Sequence, residues 1–396
     1  MIELSGKYNK AKVFTDNIEE TAISQIIELC NQEFVKDSKI RMMPDVHAGA
    51  GCTIGTTMTI KNKVVPNITG VDLGCGMLTV KLKDKEIDFQ KLDYIIRQHI
   101  PNGQNVRQTY HKNNSKIDLQ ELRCKGKLNI DRAMKSLGTL GGGNHFTEIN
   151  KDSKGNLYLV IHSGSRYLGK QVAEYYQDLA FKTLSENVLD KNKLIDKLKS
   201  EGKANLIQQE LKKIKPLKVN RQLAYLEGDN FNDYLHDIGI VQKYANINRE
   251  TMAEEIVKHM GFIVDSSFTT IHNYIDLDNM ILRKGAISSQ KGEIVLIPMN
   301  MRDGSLLCVG KGNEDWNYSA PHGAGRILSR SKAKEKITLD EFKDSMEGIW
   351  SSSVCESTID ESPMTYKPMQ EIIDNIGDTV DIIDIIKPLY NFKSSN

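Results

Sequence analysis

The chain has 396 residues, and its 53 basic and 52 acidic side chains nearly cancel, to a net charge of +1. That balance excludes whole-molecule attraction to a polyanion, so affinity for nucleic acid has to come from a local patch. No run approaches the ~20 consecutive apolar residues of a bilayer crossing, and Met1 to Lys12 lack an apolar targeting core, so a cytoplasmic protein with no membrane partner is expected.

A helix over about 17–31 is predicted from Asp16 and Glu19 as a capping box and from Ile23, Ile26, Ile27 and Cys30 on one face. Strand-like runs follow at 56–60, 77–82 and 157–161, ahead of a helix over about 169–189. From Asp190 to Lys218, nine lysines stand against four acids. Leu194, Ile195, Leu198, Ile207, Leu211 and Ile214 recur there at helical spacing, which predicts two amphipathic helices broken around Gly202. This stretch reads first as a solvated helical hairpin and second as an RNA-facing patch. A helix over about 232–260, strands at 294–297 and 306–309, and a helix over 339–346 complete the pattern.

Strands and helices mix without strict βαβ alternation, so the fold class is α+β. Length alone suggests two or three domains. The candidate functional residues, however, run from position 72 to 322 and have to meet at one centre. Residues 1–396 therefore read as one compact catalytic domain of mixed sheets and helices, with a Lys-rich helical excursion at about 186–222.

Chemistry concentrates in short glycine-rich islands: Pro44–Gly49, Gly70–Gly76, Leu137–Phe146, Val160–Arg166 and Ala320–Arg326. A lone histidine is more often a hydrogen-bonded structural residue than a ligand, and a lone cysteine more often a small buried hydrophobe. His99, His111, His236 and His259, in ordinary helical or charged contexts, are left under that reading. His47 is read as a ligand-supporting or phosphate-contacting residue.

Together the islands and the His272–Asn273 pair offer Asp72, Cys75, His145, His162 and His272, more donors than one tetrahedral ion uses. Two divalent ions sharing Cys75 are the economical assignment. Six cysteines without a CxxC pair read as reduced thiols, leaving Cys75 free as a thiolate. His322 sits among residues too small to shield it, and Arg326 offers a charged fork suited to phosphate. The Gly141–Gly143 run lacks the lysine of a P-loop and fits a metal and phosphate nest better.

The strings PDVHAG, GVDLGCGM, LGTLGGGNHF, HSGSR, IHNY and APHGAGR, in this order, closely resemble those of the RtcB-type RNA ligases, from about Arg41 to the end of the chain. The resemblance implies an enzyme that uses GTP and two manganese ions to join an RNA 3′-phosphate or 2′,3′-cyclic phosphate to a 5′-hydroxyl. It implies that His322 takes GMP as a phosphoramidate, and that Asp72, Cys75, His145, His162 and His272 hold the metals, with Cys75 bridging. Asn144 would touch the nucleotide phosphate, Glu148 the guanine edge, Tyr366 the base face and Lys393 its polar edge. Asn273, Asn300, Ser305, Gly323, Ala324 and Gly325 would complete the nucleotide site, with Arg166 and Arg326 toward RNA.

Two segments depart from the family pattern. Pro298–Ser305 carries Met299, Asn300 and Arg302 where a Pro-Gly-Ser-Met-Gly-type loop is usual, and Thr365–Pro368 replaces an Ala-Tyr-Lys-Asp string. Two other readings stand beside the ligase: a di-metal phosphohydrolase with His322 as an acid, and a catalytically silent RNA-binding relative. Ligand softness favours zinc at least as much as manganese, whereas the resemblance implies manganese.

Overall fold

The computed structural model describes residues 1–188, 191–213 and 219–394. Two large sheets dominate the described chain. One has six strands in the order Ile2–Ser5, Lys10–Val13, Ile40–His47, Ile54–Thr59, Ile281–Lys284 and Asn273–Asp276. The other has seven, in the order Val264–Ile271, Gly76–Leu82, Leu157–Ser163, Phe146–Lys151, Val380–Phe392, Gly304–Gly310 and Ile294–Asn300. Among the described pairs between these strands, only Lys10–Val13 with Ile40–His47 is parallel. Antiparallel neighbours without βαβ crossovers make this the expected α+β class.

The expected strands at 77–82, 157–161, 294–297 and 306–309 fall within observed strands, and the one at 56–60 overlaps Ile54–Thr59 and overruns it at Ile60. The long helices are Arg166–Val188 and Gly228–Met260. The latter ends at Gly261, whose positive φ of 76° closes the last turn by a bond from its N–H to Val257. Among the described residues of the Lys-rich excursion, Lys191–Ser200 and Ile207–Lys213 are helical on either side of Gly202, as the spacing predicts. Ile214 and part of the basic run lie outside the described residues.

One expectation fails in detail. The first helix runs Glu20–Cys30 with Glu19 at its N-cap and no side-chain cap bond. Glu19 instead accepts the backbone N–H of Ala48 at 2.7 Å. A tertiary partner has taken the carboxylate that local pairing would have used, and the buried face is Ala22, Ile26, Leu29 and Cys30.

Helix Gly228–Met260 organises the centre. Its apolar face buries Tyr234, Ile238, Val241 and Tyr244 completely, each worth roughly 1.5–3 kcal/mol as removal from water. The same helix buries Asn248 and Arg249. Asn248 Oδ1 accepts the N–H groups of Gly138 and Thr139 at 2.7 and 3.0 Å, and its amide donates to Thr139 O and Gly164 O, each at 3.1 Å. Arg249 donates to Gly74 O at 2.7 Å and Ser163 O at 2.9 Å. Loops that could not otherwise satisfy their backbone are thus clamped onto one helix.

Candidate active site and metal centre

Antiparallel pairing explains why distant residues meet. In such a sheet the start of one strand lies beside the end of its neighbour. Cys75 precedes Gly76–Leu82 and His145 precedes Phe146–Lys151, whereas His162 closes Leu157–Ser163 and His272 follows Val264–Ile271. Gly76 pairs with Ser163 and Ile271, and Phe146 with His162. All four side chains therefore gather at one end of the seven-stranded sheet. Asp72 joins them from the loop after Pro66–Thr69.

Cys75 Sγ lies 3.4 Å from His145 Nε2 and 3.3 Å from His162 Nε2. His162 Nε2 is 3.4 Å from His272 Nε2, and His145 Nε2 is 2.9 Å from Asp72 Oδ2. Two ligand sets result, Cys75–His162–His272 and Asp72–Cys75–His145, each with donor atoms within 4.8 Å of one another and with Cys75 in both. The far nitrogens are aimed by backbone: His145 Nδ1 at Leu140 O, 2.9 Å, and His162 Nδ1 at Asn144 O, 3.1 Å. Such bonds set the tautomer that leaves Nε2 for a metal.

Burial, then the Asp72 charge, pushes the Cys75 thiol well up, and burial pushes His162 and His272 well down. A desolvated thiol, a carboxylate and three imidazoles gain most from a cation between them. The residues therefore fit divalent metal.

His322 follows the short strand Ser319–Pro321, which pairs with Ala286–Ser288; Ala286 donates to His272 O at 3.2 Å. This chain of contacts brings the His322 and His272 rings to a centroid distance of 5.0 Å. Asp45, wholly buried, accepts His322 Nδ1–H at 2.6 Å and the His322 backbone N–H at 3.2 Å. Nδ1 is thereby protonated, and Nε2 keeps its lone pair. Gly325 makes the approach possible: at φ 76° a Cβ there would sit 2.6 Å from the Asp45 carbonyl oxygen.

A cavity of about 280 Å³ opens beside His162, His272 and His322. Asn144, Glu148, Asn300, Gly323, Ala324, Gly325, Arg326, Tyr366 and Lys393, all expected at the nucleotide or RNA, line it, as does His47. Burial raises Glu148 to about 7 despite hydrogen bonds from Asn150 and Asn391. Burial would raise Glu361 too, but Lys393, Arg330 and Arg326 surround it and hold it at about 2. Glu361 meets Lys393 Nζ at 3.2 Å, Arg330 at 3.2 Å, Arg326 at 3.3 Å and the Tyr366 hydroxyl at 2.8 Å. Three cations against Glu361 and Asp360, the latter 3.0 Å from Arg330, leave this part of the wall net positive, suited to an anion.

Other expected residues lie off the cavity wall. Arg166 commits its guanidinium to Gly103 O at 3.0 Å and Thr139 Oγ1 at 3.2 Å, behind the triple-glycine loop. Asn273 Oδ1 accepts Gly285 N–H at 2.9 Å. Ser305 is buried on its strand with an unpartnered hydroxyl. Asn300 reaches the wall, but its Oδ1 accepts the N–H groups of Arg302 and Asp303 in the following turn. Sequence reasoning gave no role to Asp45, Glu361 or Arg330. Asp45 stood in the PDVHAG string and could have been read as a partner for a distant histidine; Glu361 and Arg330 sit in ordinary polar contexts with no local signal.

A shared-thiol cluster of candidate metal ligands opens beside a carboxylate-held histidine onto a cavity lined by three cations. The family model for tRNA-splicing ligase RtcB matches residues 25–129 and 103–394, and the chain belongs to that family. It is similar to the RNA-splicing ligase RtcB of Escherichia coli (strain K12), 29% identical over 416 residues and 95% of each chain. The tRNA-splicing ligase RtcB of Nanoarchaeum equitans is 26% identical over 408 residues, covering 84% of this chain and 83% of its own length.

Proposed function

We propose that this chain is a GTP-dependent RNA ligase joining a 3′-phosphate or 2′,3′-cyclic phosphate end to a 5′-hydroxyl end. The observation that carries the reading is the Asp45-held His322 ring, 5.0 Å between centroids from His272 of a two-set ligand cluster and on the wall of one cavity. Its membership of the RtcB family supports the same reading.

His322 Nε2 attacks the α-phosphorus of GTP; a P–N bond forms, the α–β P–O bond breaks and pyrophosphate leaves. Asp45 accepts the hydrogen bond from Nδ1–H throughout, the proton staying on the ring, and offsets the positive charge that develops there. The RNA 3′-phosphate oxygen then takes GMP from the ring, giving a 3′-pp-5′-G end. The 5′-hydroxyl attacks the RNA phosphorus and expels GMP. A cyclic phosphate is first opened by water to the 3′-phosphate.

Two manganese ions held by Asp72, Cys75 and His145 and by Cys75, His162 and His272 would supply neutralisation of phosphate charge. Lys393, Arg326 and Arg330 orient the nucleotide from the opposite wall. Ionised Glu148 accepts from the guanine edge, and Tyr366, fixed by Glu361, presents its ring to the base.

Incubation with α-labelled GTP and manganese tests this: the parent acquires covalent label and His322→Ala does not, and the parent seals a 2′,3′-cyclic-phosphate RNA to a 5′-hydroxyl RNA. Turnover without label would make the centre a phosphohydrolase, and metal binding without label or turnover a silent relative.

A further inference from the structure

Behind the loop that carries His145, a second group of side chains has the composition of a metal site. His99 ends helix Phe89–His99, and Glu255 and His259 lie one turn apart on Gly228–Met260. One donor atom from each lies within 4.8 Å of the other two. The His99 and His259 rings are stacked with centroids 3.7 Å apart. Residues at i and i+4 share a helix face, so Glu255 and His259 converge without strain.

Hydrogen bonds assign the protons. His259 Nδ1 donates to Glu255 O at 2.8 Å, which leaves its Nε2 lone pair free. His111 Nδ1 accepts Asn113 N–H at 3.1 Å, so its Nε2 carries the proton and donates to Glu255 Oε1 at 3.3 Å. That is how ligating carboxylates are aimed, and the second oxygen of Glu255 lies 3.8 Å from His259 Nδ1.

We propose that His99, Glu255 and His259 bind a divalent first-row metal ion of the zinc class, with His111 positioning Glu255. Two imidazoles and a carboxylate are a known zinc set that leaves one position for water. The stacked rings hold their lone pairs in near-parallel planes, 16° apart, so ligation requires each ring to turn about its Cβ–Cγ bond, a broad torsion.

The nearby cations are Arg107 and Lys258. Arg107 is already bonded to the carbonyls of Leu137, Gly138 and His99. The ion thereby ties the end of helix Phe89–His99 to helix Gly228–Met260.

Cobalt(II) is the probe. At the Cys75 centre it gives a thiolate charge-transfer band, whereas a site of two imidazoles and a carboxylate gives only weak d–d bands. Chelator-stripped full-length parent, His99→Ala and His259→Gln are reloaded and their bound cobalt counted. The expected result is one equivalent fewer in each variant with the thiolate band unchanged. Equal stoichiometry in parent and both variants overturns the proposal, as does a deficit that comes out of the thiolate band.

Discussion

At His322 the ring is held through Nδ1 by a carboxylate with no exposure to water. Asp45→Asn keeps the shape but removes the charge that offsets the developing imidazolium. GMP labelling is expected to slow roughly 10²–10⁴-fold while cobalt loading of the Cys75 centre is unchanged; labelling at the parental rate would remove Asp45 from the mechanism. Glu148 carries a pH signature. Its folded value of about 7 exceeds the ordinary 4.5, so the unfolded chain ionises first as pH rises. Stability is full below about 4.5, falls through the window to about 7, and levels off above it, a loss of ~3 kcal/mol. Urea unfolding across that range should show the fall in the parent and flatten in Glu148→Gln. GTP affinity should change in the opposite sense, rising as pH passes about 7, because only the ionised carboxylate accepts two guanine N–H groups.

Among the elements, the loops and the helix that clamps them set the geometry of the candidate ligands. A Cβ at Gly164 would run into the Asp72 carboxylate, so Gly164→Ala should displace that ligand and lower bound metal at the catalytic centre by one equivalent, measured by elemental analysis. Asn248→Ala leaves the N–H groups of Gly138 and Thr139 without their buried acceptor. The expected cost is roughly 2–4 kcal/mol, seen as a lower urea midpoint with unchanged slope. The failed capping box at Asp16 and Glu19 teaches the same lesson: Glu19 was legible as a helix-start residue, but Ala48, 29 residues on, decided what its carboxylate binds.

For the whole molecule, the cluster draws on strands Gly76–Leu82, Phe146–Lys151, Leu157–Ser163 and Val264–Ile271, so a metal held there would couple its binding to folding. Chelation should lower the melting temperature and added manganese should restore it; a melting curve indifferent to chelator would uncouple the two. Donor identities, glycine islands, the strand-forming runs and the α+β class were readable in the chain, because side-chain type and two-residue periodicity are local properties. The assembly was not. Which strand lies beside which, that Asp45 holds His322, and that Arg166 turns behind the triple-glycine loop all depend on contacts across tens to hundreds of residues, where burial and backbone satisfaction outweigh anything a short window of sequence encodes.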